Sequence, residues 1–202
     1  MTEEDARDWV VARFGEPAAR RLDRFGALVI AENERQNLIA PATTAQLWSR
    51  HLLDSAQLLV LAERLGEWLD IGTGAGFPGM VIAALSQHQV TMVEPRGRRV
   101  DFLTAAAAEL GLVNAVVVRG RAEALPPRHY DVITARAVAS LADLLVMTRH
   151  LRTSATRLIL PRGRGAAGEI DLARSRWQGV FHVEHSITDP ESLIVIADGV
   201  SI

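Results

Sequence analysis

Three glycines at alternate positions, Gly72, Gly74 and Gly76, stand just after Asp70 in the stretch WLDIGTGAGFPGMV, and Phe77-Pro78-Gly79 follows them. A β-rich run precedes the glycines and an apolar run that reads as a helix follows, so they occupy a strand-to-helix turn. Residues without a Cβ admit positive φ and let a ligand come close to the backbone. In an open α/β sheet that turn lies at the carboxyl end of a strand, where ligands bind. Two ligand chemistries fit it. Gly74-Ala75-Gly76-Phe77-Pro78-Gly79 matches the G-x-G-x-x-G pattern of dinucleotide sites, while Asp70-x-Gly72-x-Gly74-x-Gly76 suits S-adenosylmethionine. Glu94 ends the next β-rich run, about 20 residues beyond the turn, where an acid accepts hydrogen bonds from ribose hydroxyls. Both ligands carry an adenosine ribose, so Glu94 does not separate them.

Three features favour S-adenosylmethionine. Asp70 sits where an acid can hold the methionine ammonium and would repel a pyrophosphate. RAEA follows the third β-rich run, and there the Ala122 amide and Glu123 can read an adenine edge. The chain has 202 residues, which leaves no separate catalytic domain for hydride chemistry.

The elements that must position these residues are legible in the pattern. Thr2 can cap a helix over EEDARDWVVARF, with acids in its first turn. Gly15 and Pro17 end it, and AARRLDRFGALVIAENERQ continues as a second helix. Thr43 or Thr44 can cap a third helix over 45–65, ended by Gly66. The period then changes. EWLDI, QVTMVE, NAVVVRG, YDVITA and TRLILP read as strands, separated by the helical GMVIAALSQ, RRVDFLTAAAAELG and SLADLLVMTRHL. Alternation of this kind predicts a parallel sheet with helices on both faces. GVFHVEHSI and SLIVIAD have no helical pattern between them and predict an antiparallel pair at one edge. The fold class is therefore α/β, the Rossmann-like class I S-adenosylmethionine-dependent methyltransferase type, in a single domain over 1–202. It divides into an N-terminal helical extension, 1–66, and a cofactor-binding core, 67–202. The segment Arg162–Glu169, RGRGAAGE, reads as a mobile loop.

Composition removes several chemistries. There is no cysteine, hence no disulfide, thiolate metal site or cysteine nucleophile, and all 22 basic residues are arginine, so no lysine base or Schiff base is available. His182 and His185 lack a partnering acid-histidine cluster, so no metal is expected. The N-terminus lacks the order of a signal peptide and no apolar run spans a membrane, which predicts a cytoplasmic protein without a membrane partner. Net charge is −2, so a nucleic-acid partner would need a local basic face. Arg96, Arg98 and Arg99, then Arg119 and Arg121, then Arg136, follow successive predicted strands and would share the cofactor edge. Trp9, Trp48, Trp68 and Trp177 read as core.

NLIA, RHLLDS, LDIGTGAGFPG, RRVDFL, AELGL and ARAVASL occur in the order of one known family. In these motifs the chain resembles the bacterial guanine-N7 methyltransferases of 16S ribosomal RNA, the RsmG/GidB family, also called glucose-inhibited division protein B. The likeness runs over about residues 33–165. It implies S-adenosylmethionine contacts at Gly72, Phe77, Ala122, Glu123 and Arg136, and methyl transfer to N7 of a guanine in 16S rRNA or the small ribosomal subunit. It also implies that the third helix borders the active site, where Arg50 or His51 would touch RNA and Asp54 would orient it. His51 and Asp54 are three apart and share a helix face, so a simple helix-anchoring pair is the competing reading. Where the family reads close to ALKG after the fifth strand, this chain has LPRG, Leu160–Gly163, so Arg162 carries the charge and Pro161 removes an amide. Arg162 and Arg164 are the remaining candidates for RNA contact, and a monomer is expected.

The chemistry is consistent with that resemblance. Pyrimidine carbon-5 methylation usually needs a cysteine and ribose methylation commonly a lysine, and the chain has neither. Exocyclic amines use an Asn/Asp-Pro-Pro-aromatic motif, where this sequence reads Ala135-Arg136-Ala137-Val138. Guanine N7 carries a lone pair and no proton, so in-line alignment suffices and no general base is expected. Arg136 would orient the reacting centre. A small-molecule methyltransferase with the N-terminal helices as a lid, and a non-catalytic cofactor- or RNA-binding protein, are the alternatives. An NAD-linked reductase is the outsider.

Overall fold

The computed structural model describes residues 1–62, 66–163 and 165–201. Seven strands form one sheet in the order β3-β2-β1-β4-β5-β7-β6. These are β1 Glu67–Ile71, β2 Gln89–Glu94, β3 Ala115–Arg119, β4 Val132–Ala135, β5 Arg157–Arg162, β6 Gln178–His185 and β7 Leu193–Ser201. β1 to β5 are parallel, whereas β7 runs antiparallel to both β5 and β6. The sheet order reverses direction between β1 and β4, and this switch point is where such sheets open a crevice at their carboxyl ends. Ile71, Glu94, Arg119 and Ala135 end their strands along that edge.

The helices are α1 Glu3–Phe14, α2 Glu16–Asn33, α3 Leu53–Ala56, α4 Gly79–Leu85, α5 Gly97–Glu109, α6 Leu141–Met147 and α7 Ala166–Arg174. One face of the sheet buries α1, α2, α4 and α5 in a single core that includes Val10, Leu22, Phe25, Trp68, Met80 and Leu103. α6 and α7 cover the other face around Leu144, Ile170 and Trp177. The N-terminal helices thus share the core with the sheet. Phe25 of α2 is fully buried and its ring lies 5.5 Å from that of Phe77 in the glycine turn. Burying one such side chain contributes about 1.5–3 kcal/mol. No helix among the described residues is long and apolar enough to cross a membrane.

Two elements depart from the sequence reading. The expected third helix is a composite: a 3-10 turn at Pro41–Gln46, a π turn at Trp48–Leu52, α3, then a 3-10 turn at Gln57–Leu61. Its free amides are met from elsewhere in the chain. Glu3 of α1 accepts from the Trp48 and Ser49 amides at 2.7 and 2.9 Å and from the Ser49 hydroxyl at 2.6 Å. Neither expected threonine caps this segment; the 3-10 turn opens on Ala40, with Pro41 in its first positions. Residues 63–65 of the expected helix lie outside the described residues. The second departure is α7, which occupies much of the expected loop. Gly165 and Gly168 disfavour helix, but Ala166, Ile170 and Ala173 recur at helical spacing and bury against the sheet. Pro161 sits in β5 without breaking it: β4 pairs only as far as Ile159, and β7 continues alone opposite Pro161.

Candidate active site

The glycine turn is tied directly to its neighbouring strand. The Gly72 and Thr73 amides donate to the Val93 carbonyl at 2.8 and 3.2 Å, and the Gly74 amide donates to Glu94 Oε2 at 3.1 Å. Gly72 has φ +63°, and a Cβ there would meet Val138 at 2.7 Å. Gly76 has φ +97°, and a Cβ there would stand 2.6 Å from Met80 and 2.9 Å from Phe25. Both positions combine a left-handed backbone with a close approach, so glycine is required on two counts.

Asp70 and Phe77 are placed differently from the sequence reading. Asp70 is 1% exposed; its Oδ2 accepts from the Gly79 amide and its Oδ1 from the Thr134 hydroxyl, each at 2.9 Å. Burial pushes its carboxyl up to about 6, against the lowering effect of Thr73, Gly79, Thr134 and the Arg136 charge. A closed, doubly bonded carboxylate braces the turn from beneath and has no face for a ligand ammonium. Phe77, 3% exposed, forms a floor under His51, with ring centroids 5.0 Å apart, and under the Arg136 guanidinium, 5.3 Å from the ring. Glu94 lies at the expected strand end, yet it is 3% exposed, and Oε1 accepts from the Arg96 amide at 2.9 Å. Each of its oxygens keeps a second lone pair.

Two cavities open along this edge. The smaller, about 170 Å³, is lined by Gly72, Val93, Pro95, Ala122, Glu123 and Val138. It is a small slot of mixed polar and apolar lining at the β1, β2 and β3 ends, of a size that takes a flat heterocycle. The larger, about 460 Å³, lies over the ends of β4 and β5 and the start of β7, with Arg136, His51, Asp54, Arg162, Glu169 and Thr188 in its wall. Arg136-Ala137-Val138 separates the two: Arg136 and Ala137 face the larger cavity and Val138 the smaller. Ala137 holds a left-handed conformation at φ +55°, the one non-glycine residue with positive φ among those described. Such strain at a dividing segment costs on the order of 1 kcal/mol and is sustained by its surroundings.

His51 and Asp54 form no pair with each other, as a helix-anchoring role would require; both turn to Arg136. Arg136 Nη2 donates to His51 Nδ1 at 3.3 Å, and Nη1 lies 3.6 Å from Asp54 Oδ2. A guanidinium can only donate, so His51 Nδ1 accepts and Nε2 carries the proton. Nε2 then donates to the Thr43 hydroxyl at 2.9 Å, which donates in turn to the Ala40 carbonyl at 2.8 Å. Burial, with Arg136 and Arg50 nearby, pulls the His51 imidazole down to about 4, so it is neutral at physiological pH. Burial also lowers the Arg136 pKa, while Asp54 and Asp70 oppose that shift. The other Asp54 oxygen, Oδ1, accepts from Gln57 at 2.9 Å and from Ser186 and Thr188 at 3.2 Å each. The tip between β6 and β7 is thereby fastened to the site. Thr43, Ala137, Glu169 and Thr188 escaped the sequence reading. Thr43 resembled a helix cap, and the others sit in segments whose partners are remote in sequence.

The arginines divide into groups. Arg50 pairs with Asp189 at 3.1 Å beside the larger cavity. Arg98 and Arg99 donate to the Arg35 and Asn37 carbonyls at 2.9 and 3.0 Å and, with Arg96, line a polar groove of about 570 Å³. Arg162 points inward: Nη1 donates to the Ala139 carbonyl at 2.6 Å, while Nε and Nη2 are buried without a partner. Arg164 lies outside the described residues. No group of three or more side chains able to hold a metal ion converges among the described residues.

Comparison with known proteins agrees with this geometry. Residues 18–191 match the family model described as GidB, rRNA small subunit methyltransferase G. Proteins named ribosomal RNA small subunit methyltransferase G are similar over nearly the whole chain. The one from Rhizorhabdus wittichii is 43% identical, covering 99% of this chain and 94% of its own. The one from Zymomonas mobilis is 41% identical, covering 98% and 94%. Among solved structures, a SAM-dependent methyltransferase from Aquifex aeolicus superposes with TM-score 0.62 at 15% identity, covering 85% of this chain and 97% of its own. Aeropyrum pernix fibrillarin, solved with bound S-adenosyl-L-methionine, gives 0.57 at 16% identity, covering 74% and 75%. At these identities the structures establish the fold.

Proposed function

The chain belongs to the rRNA small subunit methyltransferase G family, and on that premise we propose that it transfers a methyl group from S-adenosylmethionine to N7 of a guanine in 16S rRNA. The observation that carries this reading is the pair of cavities meeting at Arg136-Ala137-Val138. The slot fits an adenine: Gly72 offers no Cβ, Ala122 and Glu123 form one wall, and Val93 and Val138 supply apolar faces. Glu94, at the adjoining strand end, is the acceptor for ribose hydroxyls through its remaining lone pairs. Gly74 and Gly76 shape the turn, while Asp70 and Phe77 serve it from below. When bound, S-adenosylmethionine supplies a methyl carbon on a positively charged sulfur.

The chain's own residues then have positioning work to do. Arg136, held by His51, Asp54 and the Phe77 ring, marks the boundary that the target base must reach. N7 has no proton to lose, so no base is needed, and the neutral His51 orients Arg136. Alignment of N7, methyl carbon and sulfur supplies the acceleration. Arg50 in the wall of the larger cavity, and Arg98 and Arg99 on the polar groove beside α5, hold the RNA backbone, where arginine suits phosphate. The enzyme works in the cytoplasm as a monomer.

The test uses purified protein, labelled S-adenosylmethionine, and either small ribosomal subunits or naked 16S rRNA from cells lacking the enzyme. Label recovered as 7-methylguanosine after complete digestion supports the reading. Tight cofactor binding with no label in either RNA substrate overturns it in favour of a non-catalytic protein.

A further inference from the structure

Two carboxylates face the larger cavity, and they differ in what they have left to give. Asp54 is committed: one oxygen takes three donors and the other pairs with Arg136. Glu169, in the first turn of α7, accepts the Leu141 amide through Oε2 at 2.6 Å, and its Oε1 takes no hydrogen bond among the described residues. Beside it stands Arg162, with Nε and Nη2 unsatisfied; burial lowers its pKa, and the charge of the nearby Glu169 opposes that shift. Unmade bonds on a buried guanidinium are costly, and an acceptor entering the cavity relieves them once the side chain turns outward.

A guanine whose N7 faces Arg136 presents O6 next, and then, on its Watson–Crick edge, N1–H and the 2-amino group. These are an acceptor followed by two donors. Adenine presents a donor followed by an acceptor. A free carboxylate matches the first pattern and repels the second. We propose that Glu169 reads the target base as guanine, accepting N1–H and the 2-amino N–H, with Arg162 donating to O6. This inference rests on the functional reading above and adds the residues that set base specificity.

The experiment compares wild-type protein with Glu169→Gln and Glu169→Asp. Gln keeps an acceptor for the Leu141 amide but replaces the second acceptor with a donor; Asp keeps the charge. Methyl transfer to small ribosomal subunits is measured, together with inhibition by GMP, IMP and AMP up to their solubility limits, S-adenosylhomocysteine affinity and thermal unfolding. In the wild type, GMP should inhibit best, IMP less and AMP least. In Glu169→Gln the GMP-over-AMP preference should fall by about tenfold or more, with kcat/KM reduced similarly. Glu169→Asp should restore part of that preference, and S-adenosylhomocysteine affinity should be unchanged in both variants. A purely structural role for Glu169 would lower the unfolding temperature and leave the nucleotide preference intact, which overturns the proposal. So does wild-type protein inhibited equally by GMP and AMP, or by neither. Wild-type protein that methylates no RNA fails the functional reading, and the specificity assignment falls with it; that result is distinct from active protein without discrimination.

Discussion

Arg136 stands in the wall of the larger cavity, two residues from the Val138 that lines the slot. Its charge is held by Asp54, its orientation by His51 and its plane by Phe77. Lysine cannot reproduce two directed N–H groups over a ring. Arg136→Lys and Arg136→Ala should therefore each lower methyl transfer by about 100-fold, the loss expected when a reacting centre is misplaced. Steady-state kinetics with small ribosomal subunits would check this, with unfolding temperature as the control. His51 gives a pH prediction. In the unfolded chain imidazole titrates near its ordinary value of about 6.5, whereas in the folded protein it is pulled down to about 4. Between those values the unfolded state binds more protons, so this residue's contribution is complete above about 6.5 and is lost as pH falls towards 4. Asp70 has the opposite sign: raised from 3.8 to about 6, it binds more protons when folded, and its contribution falls as pH rises through that window. His51→Gln should therefore flatten the acid-side loss in thermal unfolding between pH 6.5 and 4. In the native enzyme, kcat should show no inflection near 6.5, where a solvent-exposed histidine would titrate.

At the scale of elements, the composite segment from Pro41 to Leu61 depends on α1. Glu3→Ala removes the acceptor of the Trp48 and Ser49 amides. It should destabilise the protein by roughly 1–2 kcal/mol, as loss of a helix cap does, and lower activity because Arg50 and His51 follow directly. Calorimetry and methyl-transfer rates would test both. This segment also shows why part of the fold was hidden in the sequence. β1 to β5 were legible because apolar and β-branched runs, bounded by turn residues, are local signals. The antiparallel β6 and β7 were legible because no helical period lies between them. The composite segment was not, because its cap is supplied from 45 residues away. α7 was obscured by Gly165 and Gly168, although Ala166, Ile170 and Ala173 carried its period. In the site, strand-end spacing placed the glycines, Ala122, Glu123 and Arg136 on one edge, whereas a cofactor contact at Arg136 was implied by the family resemblance, and its side chain faces the larger cavity. The burial of Asp70 was not, because the sequence marks an acid before the turn without saying which side of the backbone it takes.

For the molecule as a whole, net charge is slightly negative, so RNA must be gathered by local features. Arg96 and Arg98 are exposed on the groove beside α5. If they meet phosphates, the double variant Arg96→Ala/Arg98→Ala should weaken RNA binding and reduce the slope of log K against log salt by roughly 1–2, with S-adenosylmethionine affinity unchanged. Filter binding at several salt concentrations and calorimetry would measure the two quantities. The fastening of Ser186 and Thr188 to Asp54 has a consequence for how the enzyme comes into being. A nascent chain emerges from its N-terminus, so the glycine turn, Arg136 and the slot all leave the ribosome before the tip that completes the larger cavity. Asp54 must wait for a partner 134 residues behind it. The larger cavity is therefore completed only once Thr188 has been made, and a chain interrupted before Thr188 is expected to lack methyl-transfer activity.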